Sequence, residues 1–299
     1  MTTAVSVRGL TKRFGSEVAV DDVSFDVAAG RIVGFLGPNG AGKSTTLRAI
    51  VGLTAPTSGR ATIHGSDFRN LEDPIRTVGS IVDGVGFHPG RRAIDELRVT
   101  AAAGGLPASR CDEVLELVGL AQARRKRVGK FSLGMKQRLG LAVVMLGDPQ
   151  VLLLDEPANG LDPEGIQWVR GFLRHLAEDG RAILVSSHLL GEIARLVDDV
   201  VVIRRGRIVA QGSVAELTAS AEGAAVVVRS QDNARLAAAL SRQGAQVNEV
   251  ADALHVVGLE AVQVGTVALQ TGVVLTELRA VAPELEDVFL ELTAGGGIA

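Results

Sequence analysis

The apolar positions of the chain follow two rhythms. Short Val/Ile/Leu runs without alternation stand at RIVGFLG (31–37), VLLLDEP (151–157), RAILVSSH (181–188) and DVVVIRRGRIV (199–209). A run that is apolar on both faces suits a strand covered on both sides, so these four predict a mainly parallel α/β sheet. Ahead of them, AVSVRGLTKRF and VSFDVAAG alternate apolar and polar positions, the pattern of antiparallel strands in a side sheet.

From about 88 to 148 the strand pattern stops. AIDELRVTAAAG, ASRCDEVLELVGLAQARRKRV and SLGMKQRLGLAVVML carry helical spacing instead, which predicts an all-helical insertion within the α/β domain. Past Gly212 the rhythm changes again: AAVVVRS, NARLAAALSRQG, AQVNEV, ALHVVG, EAVQVGTVALQTG and VVLTELRAV read β-α-β-β-α-β, with PELEDVFLELT as a final helix. That order is the split βαβ, ferredoxin-like arrangement, and it predicts a C-terminal accessory domain over 219–299 behind a first domain over 1–218. No repeat at solenoid or propeller spacing is present.

Composition narrows the class. With 299 residues, 46% hydrophobic and 22% charged, and a net charge of −3, the sequence reads as a globular protein with no call for a polyanionic partner. Its single cysteine, Cys111, excludes an intramolecular disulfide and fits a reducing cytoplasm. No signal peptide is predicted, and the longest apolar stretch, LGLAVVMLG, is half of the ~18 residues a membrane span needs. The basic run ARRKRVGK (123–130) reads as a solvated helix end, and His64, His88, His175 and His255 show no ligand spacing.

Two stretches carry phosphate chemistry. GPNGAGKST fits G-x-x-x-x-G-K-[ST] and follows the apolar run RIVGFL, the context the motif requires. Its residues Gly37, Pro38, Asn39, Gly40, Ala41, Gly42, Lys43, Ser44 and Thr45 let successive backbone N–H groups face one centre at a helix N-terminus, where phosphate oxygens are held. Lys43 is the candidate contact to the β and γ phosphates, and Ser44 a candidate Mg²⁺ ligand. VLLLDEP ends its apolar run in Asp155, a candidate Mg²⁺ partner through water, and Glu156, a carboxylate able to polarise an attacking water.

At Phe131-Ser132-Leu133-Gly134-Met135-Lys136-Gln137-Arg138 the chain resembles the nucleotide-binding subunits of ABC transporters, whose signature reads roughly L-S-G-G-Q-x-Q-R. Ser132, Gly134, Gln137 and Arg138 match, while Leu133 and Met135 depart. The resemblance extends over roughly the first 215 residues and implies that Ser132 and the N–H groups near Gly134 bind the γ-phosphate of ATP held by a second copy of the chain, in a head-to-tail dimer. It implies further roles: Asp162, in NGLDPEG, crosses that dimer interface; His188 contacts the γ-phosphate and the attacking water; Phe14 stacks on adenine; and Asp83 stands at the family's Q-loop glutamine, near Mg²⁺. Acid at that position together with SLGMKQRLG resembles the bacterial exporter subgroup of the bacitracin, lantibiotic and anthracycline resistance type, whose members also commonly end in a segment similar to LEDVFLELT (285–293).

The resemblance therefore implies an ATPase working on a separate membrane permease at the inner face of the membrane, with ATP and Mg²⁺ as cofactors, Lys43, Glu156 and His188 as catalytic residues, and export of an antibiotic, peptide or other amphipathic compound. A mechanical ATPase acting on a nucleic-acid or ribosomal partner is the alternative, and a P-loop kinase a second. The first is expected to show two cassettes or a long coiled coil; the second leaves Ser132, Asp162 and His188 unused.

Overall fold

The computed structural model describes residues 2–84, 86–188, 195–220, 225–250 and 252–281. The final helix expected over PELEDVFLELT, including 285–293, lies outside them. The chain divides into two compact units, Met1–Ser213 and Val214–Ala299.

In the first unit a long hairpin, β1 (Thr3–Phe14) and β2 (Glu17–Ala28), pairs antiparallel with β4 (Ser58–Ile63) into a three-stranded sheet ordered β2-β1-β4. A six-stranded sheet is built from β3 (Ile32–Leu36), β5 (Val78–Ile81), β6 (Val151–Asp155), β7 (Ala182–Ser187), β8 (Asp199–Arg204) and β9 (Arg207–Ser213), in the order β5-β6-β7-β3-β8-β9. Every pair in it is parallel except β8–β9. The parallel strands β3, β6 and β7 are buried along their whole length, as their unbroken apolar runs require. The core between the two sheets holds Val7, Leu10, Phe25, Phe35 and Leu47, with the Phe25 and Phe35 rings stacked 5.3 Å apart.

Two stretches depart from their sequence pattern. DVVVIRRGRIV is not one strand: Arg205 and Gly206, both at positive φ, turn it back into the antiparallel β8–β9 hairpin. The stretch 108–128 is not one helix either, because the helix within it ends at Leu117 and short 3₁₀ turns follow.

The helices of this unit are α1 (Lys43–Ile50), the short α2 (Pro74–Thr77), α3 (Ala93–Ala103), α4 (Ser109–Leu117), α5 (Leu133–Val144) and α6 (Pro163–Glu178). Helices α3, α4 and α5 form the helical insertion. α6 turns Val169, Phe172, Leu173, Leu176 and Ala177 inward, the spacing of one apolar stripe on a 3.6-residue period.

The second unit opens with α7 (Val214–Ser220) and continues β10 (Ala225–Ser230), α8 (Asn233–Arg242), β11 (Gln246–Val250), β12 (Ala253–Val257), α9 (Ala261–Thr271) and β13 (Leu275–Val281). Its four strands form an antiparallel sheet ordered β11-β12-β10-β13. The first and third strands of the unit lie side by side at its centre, which is the ferredoxin-like order. Its own core includes Val226, Val228, Leu236, Leu254, Val256 and Val264.

Candidate nucleotide site

The sheet order puts three strand ends side by side: β6 ending at Asp155, β7 ending at Ser187, and β3 running into the Gly37–Gly42 loop. The loop from Gly37 to Gly42 delivers the chain to α1 with Gly42 at φ +110°, and a Cβ there would lie 2.6 Å from the Ala19 carbonyl oxygen. Only glycine fits that passage. The first intrahelical bond of α1 runs from the Thr46 N–H to the Gly42 carbonyl, so the amides of Lys43, Ser44 and Thr45 are the free donors of a helix start, oriented with its positive end.

Lys43 is buried, 6% exposed, and its ammonium donates to the carbonyls of Gly37 at 2.7 Å and Pro38 at 3.3 Å, with Glu156 Oε1 at 3.6 Å. A buried ammonium needs anionic or carbonyl partners on every side. The same centre therefore suits phosphate oxygens.

Glu156 is held in a left-handed backbone conformation, φ +50°, a costly setting for a non-glycine residue. Its N–H donates to the Ser186 carbonyl at 3.2 Å and to the Ser186 hydroxyl at 3.1 Å, which fixes that conformation. The Ser186 hydroxyl in turn donates to Asp155 Oδ1. The side chain of Glu156 meets His188, with Oε2 at 2.8 Å from Nδ1. An ionised carboxylate can only accept, so His188 carries its proton on Nδ1 in this contact. One carboxylate thus spans Lys43 on one side and His188 on the other.

Asp155, 7% exposed, and Ser44, partly buried at the start of α1, are all-oxygen donors. Among the described residues no group of three or more His, Cys, Asp and Glu side chains could enclose a metal. Few protein oxygens, with the remainder left to phosphate and water, suit Mg²⁺ better than a cation that needs a protein cage.

Asp83 lies in the loop after β5 at φ +66°, and its two oxygens are taken by Arg48 of α1, Nε to Oδ2 at 2.8 Å and Nη2 to Oδ1. That hydrogen bond holds the Arg48 guanidinium above its ordinary pKa. Phe14 is half exposed at the end of β1, with the Lys12 ammonium 4.9 Å from its ring centroid, so it is an accessible ring and not a core aromatic.

The remaining candidates gather elsewhere. Ser132 caps α5, accepting from the Met135 N–H at 3.2 Å, and Asp162 caps α6, accepting from the Gly165 N–H at 2.9 Å. The two caps border one open hollow of about 390 Å³ that Gly134 and Gly160 also line. Among the described residues no hydrogen bond or ion pair joins this group to the Lys43, Asp155, Glu156 and His188 cluster.

Two contributors escaped sequence reading. Ser186 looked like strand filler, and only the β6–β7 register, Asp155 opposite Ser186, discloses it. Arg48 sits five residues after Lys43 but pairs across 35 residues of sequence with Asp83.

A family model described as ABC transporter matches residues 20–159, and one described as a domain of unknown function matches 224–286. The chain is 46% identical over 211 residues to the bacitracin transport ATP-binding protein BcrA of Bacillus licheniformis, covering 70% of this chain and 69% of that protein. The chain belongs to the ABC transporter ATP-binding family. This ABC ATPase is also 35% identical over 205 residues to the lantibiotic transport ATP-binding protein SrtF of Streptococcus pyogenes, covering 69% of this chain and 89% of that one. A solved ATP-binding subunit of an ABC transporter superposes with a TM-score of 0.65 at 28% identity, over 73% of this chain and 92% of that structure. The fold and the ATPase class of the chain are thereby shown together.

Proposed function

We propose that this ABC ATPase hydrolyses Mg²⁺-ATP between two copies of itself to power a separate membrane permease that exports an antibiotic, peptide or other amphipathic compound. The observation that carries the chemistry is Glu156, held between Lys43 and His188 at the joined ends of β3, β6 and β7.

Gly37 to Thr45 cradle the phosphates, and Lys43 neutralises the charge that develops on the γ-phosphoryl group. Glu156 takes or polarises the proton of the attacking water, and His188 orients that water against the phosphate. Bound Mg²⁺ would neutralise the phosphate oxygens, held by Ser44 and by Asp155 through water. Ser186 keeps Asp155 aimed and fixes the backbone of Glu156. Asp83 contributes to the metal only where Arg48 releases one of its oxygens. Phe14 offers an exposed ring for the adenine face.

Ser132 and Gly134 complete the site from the second copy, which accounts for two groups of residues that share no bond within one chain. Asp162 stands beside them at that interface. The domain over 219–299 supports interaction or dimer contact. The exporter reading draws on what the B. licheniformis and S. pyogenes relatives are named for, bacitracin and lantibiotic transport. No helix among the described residues is long and apolar enough to cross a membrane, so in this reading the chain works from the cytoplasmic face through its permease.

Purified chain is expected to hydrolyse ATP in a Mg²⁺-dependent way, Glu156→Gln to bind ATP while losing nearly all turnover, and the chain to co-purify with a membrane protein in detergent. Full turnover in Glu156→Gln would refute the catalytic assignment, and co-purification with ribosomes or DNA instead would overturn the transport reading.

A further inference from the structure

The residue outside the family motifs with the most consequential position is Trp168, the sole tryptophan of the chain. It lies on α6, six residues past the Asp162 cap, and its ring stacks on Phe172 with centroids 5.0 Å apart and planes 12° apart. Arg138, on α5 and six residues past the Ser132 cap, lays its guanidinium on Trp168, 4.2 Å from Cζ to the ring centroid. Among the described residues Arg138 has no carboxylate partner, so the aromatic face is what this cation meets. Higher up, the two loops interlock. A Cβ on Gly160 would lie 2.9 Å from Leu133 Cδ2, and one on Gly134 would lie 3.8 Å from Leu161 Cδ2. The leucine that replaces a signature glycine therefore lies over a glycine of the opposite loop, which has no side chain to displace it.

We propose that Trp168 is a positioning residue: by stacking under Arg138 it locks α5 to α6, so that the Ser132 and Asp162 helix starts move as one block. The lock is a property of the single chain. It rests on the two-copy reading only for what the block presents, namely both elements delivered together to the nucleotide of the second copy. A guanidinium on an indole is a strong form of cation–π contact, and partial burial raises its worth above that of an exposed pair.

Amide hydrogen exchange of the nucleotide-free, full-length chain tests the lock directly. Trp168→Ala and Arg138→Gln are each expected to speed exchange about fivefold in both 133–138 and 160–166, the size a half-buried cation–π contact supports. The double variant should be no faster than the faster single variant, and Trp168→Phe, which keeps an aromatic face, should stay within about twofold of the parent. Loosening of only one segment, additive effects in the double variant, or Trp168→Phe as fast as Trp168→Ala would each overturn the proposal. Should Trp168→Ala fail to fold, Arg138→Gln leaves the Trp168–Phe172 pair in place and carries the same test.

A second readout separates this proposal from the function it serves. In a Glu156→Gln background, Trp168→Ala should raise the ATP concentration for half-maximal dimerisation about fivefold while leaving nucleotide binding to the single chain unchanged. A Glu156→Gln chain that binds ATP and stays monomeric refutes the two-copy reading, and the exchange result then decides the lock by itself.

Discussion

Ser186→Ala removes one hydroxyl from a fully buried position on β7 and with it two contacts: the donation to Asp155 and the acceptance from the Glu156 N–H. The second loss is softened, since that N–H keeps the Ser186 carbonyl at 3.2 Å. The first is not. A hydrogen bond to a charged group contributes about 1.5–3 kcal/mol, and a carboxylate as buried as Asp155 regains little from water. About 2 kcal/mol is the resulting loss, near a thirtyfold change in the folding equilibrium. For a unit of this size that is a fall in melting temperature of about 4–8 °C. Differential scanning calorimetry reads the stability, and an ATPase assay across a Mg²⁺ titration reads the consequence, a lower apparent Mg²⁺ affinity because Asp155 is free to rotate. A melting temperature within about 1 °C of the parent, together with an unchanged Mg²⁺ midpoint, would refute the assignment of Ser186 as the group that aims Asp155.

Two further outcomes follow from the same geometry. Asp83→Ala and Asp83→Gln should both shift the Mg²⁺ dependence of ATPase activity if Asp83 shares the metal with Arg48; an unchanged dependence in both would confine Asp83 to its ion pair with Arg48. Cys111 is fully buried in α4, and burial pushes its thiol pKa up, so both access and thiolate fraction are low. A thiol reagent at pH 8 should modify the folded chain at the rate of its opening, many-fold slower than in denaturant, and equal rates would contradict the burial of this helix.

How far the sequence carries depends on whether a feature is local. The glycine loop before α1, the acids at the end of β6 and the ferredoxin-like order were legible because each is written in adjacent residues: a glycine pattern before a helix, acids at the end of an apolar run, alternating element types. β4, SGRATI, escaped because it is mostly exposed and polar at its start, and β5 because four residues are too few for a rhythm. The β8–β9 hairpin was hidden by apolar residues on both sides of Arg205-Gly206, where the turn rather than the apolar run sets direction. Ser186, Arg48 and Trp168 act through partners 31, 35 and 30 residues away or more, and pairings of that kind appear only when register and helix packing bring the chain together.

The departures from the signature also gain a physical reading. Leu133 is half exposed, yet it lies against Gly160, and Ser132 still caps α5. The segment loses a glycine without losing its helix start. What it exchanges for backbone freedom is a hydrophobic contact with the loop that leads to Asp162.

The proposed function turns on a catalytic site split between two copies of one chain, with Lys43 and Glu156 on one and Ser132 and Gly134 on the other. Light scattering after size exclusion of Glu156→Gln measures this most directly. With Mg²⁺-ATP the chain should run at about twice its 31.1 kDa mass, return to the single-chain mass with Mg²⁺-ADP, and fail to dimerise when Ser132 is also replaced by Arg. A Glu156→Gln chain that binds Mg²⁺-ATP and remains at 31.1 kDa, or one that still dimerises with Ser132 replaced by Arg, would contradict the split site.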